Sequence, residues 1–140
     1  EGSFYGYPFK HAKSVIDPEF GHLIPSINKK FIDPIAELGP HVAPLGVAFY
    51  DQDIFPAKYK NSLFVALHGS WNRTKKSGYK LVFIQLDEEG NYVSQEDFIT
   101  GWLSSESAWG RPVSPYIMSD GSMLLSDDKY NVIYRVSYKG

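Results

Sequence analysis

The sequence predicts an all-β fold of short antiparallel strands, and three features carry that expectation. Beyond residue 44, runs rich in β-branched and aromatic residues recur between clusters of turn-forming residues. Two of those clusters, residues 87–91 and 119–121, hold the Asp, Asn and Gly that tolerate positive φ between antiparallel strands. A weak internal repeat lays residues 62–65 over 122–125 and 82–84 over 132–134. Sheets repeating at roughly 40 to 50 residues point to propeller blades.

Residues 1–44 are irregular, because Gly2, Gly6, Pro8, Pro18, Gly21, Pro25, Pro34, Gly39, Pro40 and Pro44 interrupt every apolar run. The segment still carries surface to bury, including Phe4, Phe9, Phe20 and Phe31, so it reads as ordered loop pinned against something larger. One helical turn is expected at 33–38, where Asp33 suits the cap, Pro34 the first helical position and Gly39 the exit. Strands follow at about 46–50, 62–67, 79–86 and 97–100, then at 113–118, 122–126 and 132–138. The first repeat therefore has four strands and the second three. One strand of the last sheet is missing. The expected organisation is a single domain over 1–140, with a loop-rich segment at 1–44, a blade at 45–103 and an incomplete last blade at 109–140.

Composition removes several function classes. The net charge of -2 gives no electrostatic reason for a nucleic acid or an anionic membrane surface as partner. The absence of cysteine excludes disulfides, thiolate zinc sites and a thiol nucleophile, and leaves the redox compartment open. No apolar run approaches the roughly 20 residues that span a bilayer, so no membrane insertion is expected. The chain opens on Glu1 without a signal peptide and reads as a piece of something longer.

The chemistry concentrates in the polar insert between the strands at 62–67 and 79–86. Within six residues it offers an imidazole (His68), an indole (Trp71), a carboxamide (Asn72) and a guanidinium (Arg73), with Gly69 and Gly78 around them. Such a set stacks on a planar ligand and hydrogen-bonds its oxygens, or merely closes its own loop. Arg111, between Trp109-Gly110 and Pro112 at the mouth of a strand, adds a planar fork of donors; the plain alternative is a surface arginine beside a tryptophan. His41 reads as structural and His11 and His22 as solvent-facing. The four histidines lack the spacing of a metal site. Adjacent Asp127 and Asp128 point to opposite faces and read as the start of a turn. Asn72-Arg73-Thr74 fits the glycosylation triplet, which is common by chance, and Lys75-Lys76 a solvated loop tip that could touch an acidic group.

Taken together, Gly39-Pro-His-Val-Ala-Pro-Leu-Gly46, Phe49-Tyr50, His68-Gly-Ser-Trp-Asn-Arg73, Gly101-Trp102-Leu103, Trp109-Gly-Arg-Pro-Val113 and the run from Asp120 to Asp128 resemble the glucose/sorbosone dehydrogenase family. Tyr5-Gly6-Tyr7-Pro8 is similar to that family's Tyr-Gly-Trp-Pro loop. The resemblance covers nearly the whole chain, and matches the C-terminal part of such a protein. It implies about two blades of an exported six-bladed propeller, periplasmic or secreted, that oxidises sugars with pyrroloquinoline quinone and calcium. It further implies that Arg111 and the loop residues His68, Trp71, Asn72 and Arg73 form part of the cofactor wall. The family's general-base histidine and its calcium ligands are expected upstream, so no catalytic or metal-binding residue is assigned in this chain. The implied substrate is an aldose or sorbosone-like sugar; whether these residues are active alone stays open. The rival reading is a non-enzymatic carbohydrate-binding or interaction module, with Trp71, Trp102, Trp109 and the tyrosines as stacking platforms. Either way, the open sheet edges call for missing upstream blades or for self-association.

Overall fold

The computed structural model describes residues 3–139, which fall into two compact units, one ending at Glu37 and one beginning at Leu38. The first unit is small and loop-rich. Its β1 (Lys10–His11) pairs antiparallel with β2 (Val15–Ile16), and a 3-10 turn follows at Gly21–Ser26. Phe4 and Phe31 are joined by a parallel bridge, with ring centroids 5.2 Å apart. Asp17 organises the bend: its carboxylate accepts the N–H of Glu19 at 2.9 Å and of Phe20 at 2.8 Å, and lies 2.8 Å from His11 Nε2. His11 is therefore a half-buried partner of Asp17 instead of a solvent-facing ring, while His22 is exposed. The helical turn expected at 33–38 does not form. Asp33 receives Lys10 Nζ at 2.7 Å, so its carboxylate is tied to β1 and is not available as a cap.

The second unit holds two antiparallel sheets. The first has the order β3-β4-β5-β6, from β3 (Pro44–Tyr50), β4 (Ser62–Leu67), β5 (Lys80–Leu86) and β6 (Tyr92–Ile99). A short hairpin, β7 (Leu103–Ser104) with β8 (Ser107–Ala108), leads to the second sheet. There β9 (Pro112–Ile117), β10 (Met123–Asp127) and β11 (Val132–Val136) stand in the order β11-β10-β9. The fold is all-β and partially propeller-like, one four-stranded and one three-stranded sheet, as the strand pattern predicted. No helix among the described residues is long and apolar enough to cross a membrane.

Strands β4 and β5 are near-continuous apolar runs because they lie in the middle of their sheet and are buried on both faces. Between the sheets, Tyr50, Phe64, Ala66, Leu81 and Phe83 meet Met123 and Leu125, with Trp102 closing the cluster. Each large side chain so buried contributes about 1.5–3 kcal/mol. The sheets meet tightly at Gly46, where a Cβ would stand 2.5 Å from Ser114 Cα and 2.7 Å from the Val113 carbonyl oxygen. Tyr50 also ties them: its buried hydroxyl donates to the Gly121 carbonyl and accepts the Phe55 N–H, both at 3.0 Å. Both predicted turns are present. Asp87 accepts the N–H of Asn91 at 2.7 Å around Gly90, and Asp120 accepts the N–H of Ser122 at 3.0 Å beside Gly121.

Candidate functional site

The loop after β4 is anchored by its own backbone. The N–H of His68 donates to the Ala43 carbonyl at 3.0 Å and that of Gly69 to Val42 at 2.9 Å, so the loop leaves the sheet along residues 42–43. Ser70 N–H donates to the Ser77 carbonyl at 2.9 Å and closes the neck. At Gly69 the backbone turns with φ 100°, and a Cβ there would meet the Tyr79 ring at 2.5 Å. Only glycine leaves room for that ring. The Tyr79 hydroxyl in turn donates to the Ser70 carbonyl from a nearly fully buried position.

Arg111 reaches this loop from the second sheet. Its Nε donates to the His68 carbonyl at 3.1 Å and its Nη2 to the carbonyls of Gly69 and Ser70, while Cζ lies 5.3 Å from the Tyr79 ring centroid. The stacking partner is thus Tyr79, not the sequence-adjacent Trp109, whose ring packs against Tyr130 and Trp102. Among the described residues Nη1 has no hydrogen-bond partner, and Arg111 lines an open groove of about 330 Å³. Ser70, Trp71, Lys76 and Tyr79 form one side of that groove; Glu106, Ser107, Ala108 and Lys129 supply the rest. Three cations (Arg111, Lys76 and Lys129) stand against one carboxylate, Glu106, so the groove is electropositive. Lys76 is not a free loop tip, since its N–H and Nζ both donate to Glu106.

Of the residues singled out in the sequence, Arg111 and Trp71 meet in this groove, Trp71 with 86% of its surface exposed. His68 contributes its carbonyl; its imidazole turns to the second sheet and lies 2.8 Å from Asp128 Oδ1. Arg73 closes the loop, donating from Nη1 to Ser77 Oγ at 3.1 Å and to the Pro40 carbonyl at 3.3 Å. Asn72 is exposed outside the groove lining. The aspartate pair divides as the strand geometry predicted: Asp127 is buried and accepts the N–H groups of Lys129 and Tyr130, while Asp128 is exposed beside His68. No cluster of three or more His, Cys, Asp or Glu able to hold a metal ion occurs among the described residues.

Sequence reasoning missed Tyr79, Glu106, Ser107 and Lys129. Glu106 and Ser107 sit at the tip of the β7–β8 hairpin, whose turn residues Ser105 and Glu106 adopt φ of 46° and 60° without any glycine or asparagine to announce it. Tyr79 had a readable signal, since a tyrosine set between Gly78 and an apolar strand start is placed to fold back over the loop.

These features define a class: a propeller-like pair of sheets carrying an electropositive, aromatic-walled groove at one loop end. The chain belongs to the TrAA12-like family, whose model matches residues 25–139. An uncharacterized protein of Borreliella burgdorferi is 42% identical over 137 residues, covering 96% of this chain and 36% of that protein. A pyrroloquinoline quinone-dependent pyranose dehydrogenase of Coprinopsis cinerea is 40% identical over 57 residues, 41% of this chain and 7% of that enzyme. The chain therefore spans little more than a third of the first of these relatives and far less of the second. Among solved structures, the holo form of the PQQ domain of Coprinopsis cinerea pyranose dehydrogenase superposes with TM-score 0.61 and 26% identity over 77% of this chain and 30% of that one. The calcium structure of the Trichoderma reesei Carbohydrate-Active Enzymes Family AA12 superposes with TM-score 0.71 over 99% of this chain and 39% of that one; at 20% identity it supports the fold. The matches are thus to the TrAA12-like family and to the PQQ domain of a pyranose dehydrogenase, and they do not single out the glucose/sorbosone dehydrogenases that the sequence motifs suggested.

Proposed function

We propose that the chain supplies part of the cofactor wall of a pyrroloquinoline quinone-dependent sugar dehydrogenase, and that the groove beside Arg111 receives that cofactor. The observation that carries the reading is the guanidinium itself: Nε and Nη2 are fixed by three carbonyls while the Nη1 edge is left beside two lysines and an exposed indole. A flat tricarboxylate with quinone oxygens needs cations, a stacking face and hydroxyl donors, and Arg111, Lys76, Lys129, Trp71, Ser70 and Ser107 match that set. The groove volume lies at the lower end of small-molecule clefts. When bound, such a cofactor supplies the hydride acceptor.

In this reading the residues of the chain bind and orient. Arg111 and Lys129 compensate carboxylate and oxygen charge, and Trp71 covers a ring face. No residue here is given a proton to move, in keeping with a general-base histidine elsewhere in the parent. No acidic cluster that would hold calcium is present among the described residues, and no step is assigned to that ion here. A sugar of the aldose or sorbosone type as substrate, and a periplasmic or secreted location, follow from the family resemblance and belong to the same proposal.

Titration with pyrroloquinoline quinone, followed by tryptophan fluorescence, tests the reading. The expected result is quenching that saturates and weakens at least tenfold in Arg111→Ala. The 86% exposure of Trp71 favours the carbohydrate-binding alternative, and a response to free sugar without quinone would favour that instead.

A further inference from the structure

We propose that Tyr79 is the positioning residue of the groove: it holds the Arg111 guanidinium so that the Nη1 edge, and not a face, is offered to a ligand oxygen. This role rests on the cofactor reading of the groove and adds how the arginine meets its ligand. Tyr79 adopts φ 58°, a left-handed conformation that a bulky side chain resists, directly after Gly78 at φ 86°. Strain of this kind persists only where the surroundings over-determine it.

Three neighbours do so. Gly69 leaves the seat of the ring empty, since a Cβ there would stand 2.5 Å from the Tyr79 Cε2 and 2.6 Å from its Cδ2. Gly78 presses on the Gly69 backbone, where a Cβ would come within 2.7 Å of Gly69 Cα. Ser70 supplies its carbonyl to the tyrosine hydroxyl, and the ring is left with 3% of its surface exposed.

That carbonyl is also one of the three that fix Arg111. Its two lone pairs take the Tyr79 hydroxyl and Arg111 Nη2, the latter at 3.3 Å, so tyrosine and guanidinium share an anchor. The Arg111 Cζ lies over the Tyr79 ring, 5.3 Å from its centroid and within reach of a cation–π contact. One face of the guanidinium is thereby covered, while Nε and Nη2 are committed to His68, Gly69 and Ser70. What remains toward the groove is Nη1, whose N–H groups lie in the guanidinium plane and suit a carboxylate or carbonyl oxygen met edge-on. Stacking on a flat ligand then falls to Trp71.

The experiment follows the arginine Nε–H protons by NMR hydrogen exchange, with isotope-labelled arginine, in the parent chain and in Tyr79→Phe. Exchange at Arg111 should be at least tenfold faster in Tyr79→Phe, with Arg135, whose Nε donates to Ser122 Oγ, unchanged as the internal control. A general loss of stability would speed both. Pyrroloquinoline quinone, read by tryptophan quenching, should bind Tyr79→Phe at least fivefold more weakly than the parent. Adding Tyr79→Phe to Arg111→Ala should weaken binding by no more than twofold further, because the tyrosine acts through the arginine. Equal exchange at Arg111, a matching rise at Arg135 or additive losses of affinity overturns it. So does a Tyr79→Phe chain that does not fold, which would make Tyr79 a prop of the fold. If quinone binds none of these chains, the cofactor reading fails and the exchange comparison alone decides whether Tyr79 holds the guanidinium.

Discussion

Arg111 and His68 are joined across the two sheets by a single donor: Arg111 Nε reaches the His68 carbonyl at 3.1 Å, from the mouth of β9 to the end of β4. With its Nη2 bonds to Gly69 and Ser70, the guanidinium sets the shape of the loop as well as the charge of the groove.

Removing that fork leaves carbonyls without partners. Arg111→Ala should cost about 1.5–3 kcal/mol in urea unfolding, the range for hydrogen bonds that involve a charged group. Arg111→Lys should recover little, because one ammonium cannot span three carbonyls. Full recovery by lysine would show that charge alone matters.

The His68–Asp128 pair has a different weight. The Asp128 carboxylate is well exposed and the distance is 2.8 Å, so Asp128→Ala should lower stability by less than about 1 kcal/mol, as solvent-screened surface contacts do. Unfolding curves of the two proteins should nearly superimpose; a loss of several kcal/mol would make this pair a true tie between the sheets.

Gly46 sets how closely the sheets approach. A methyl group there meets main-chain atoms, Ser114 Cα at 2.5 Å and the Val113 oxygen at 2.7 Å, and neither can swing aside. Gly46→Ala should destabilise by about 1–3 kcal/mol or more, as overpacked sites do. A melting temperature equal to that of the parent would mean that the sheets slide easily.

Acid should weaken the second sheet. Asp120 accepts Ser122 Oγ at 2.6 Å and the Ser122 N–H at 3.0 Å, and faces Arg135, which together hold its carboxyl below the usual carboxylate value. Asp87 is lowered in the same direction by the Asn91 N–H and side chain. A carboxyl whose folded pKa lies below its unfolded one contributes stability that is present above the unfolded value of about 3.9 and is lost as pH falls through the folded pKa. Asp120→Asn should therefore flatten the fall in melting temperature between about pH 5 and about pH 2. An unchanged slope would mean that the carboxylate gains nothing from its neighbours in the folded state.

The sheets were legible where residues are apolar and strands central. Runs such as Leu81–Ile84 can be buried on both faces only inside a sheet, so β4 and β5 were visible from composition alone. The strand expected at 97–100 overlaps only the end of β6, because Ser94, Gln95 and Glu96 give the start of this edge strand no apolar alternation. The turn at 33–38 was misread since nothing local shows that Asp33 pairs with Lys10, 23 residues away. At the site, Arg111 and Trp71 stood out by chemical type, but the choice between groove and loop closure for Arg73 depends on its partners Pro40 and Ser77. The Glu106 contribution comes from a positive-φ turn of unusual residues and had no sequence signal.

The most direct test of the cofactor reading is a map of backbone amide shifts as pyrroloquinoline quinone is added to the chain. The account predicts changes concentrated at Ser70, Trp71, Lys76, Glu106, Ser107 and Lys129, diminished in Arg111→Ala. Shifts centred instead on Trp102, Trp109 and Tyr134, or none at concentrations that saturate the quenching, would contradict it.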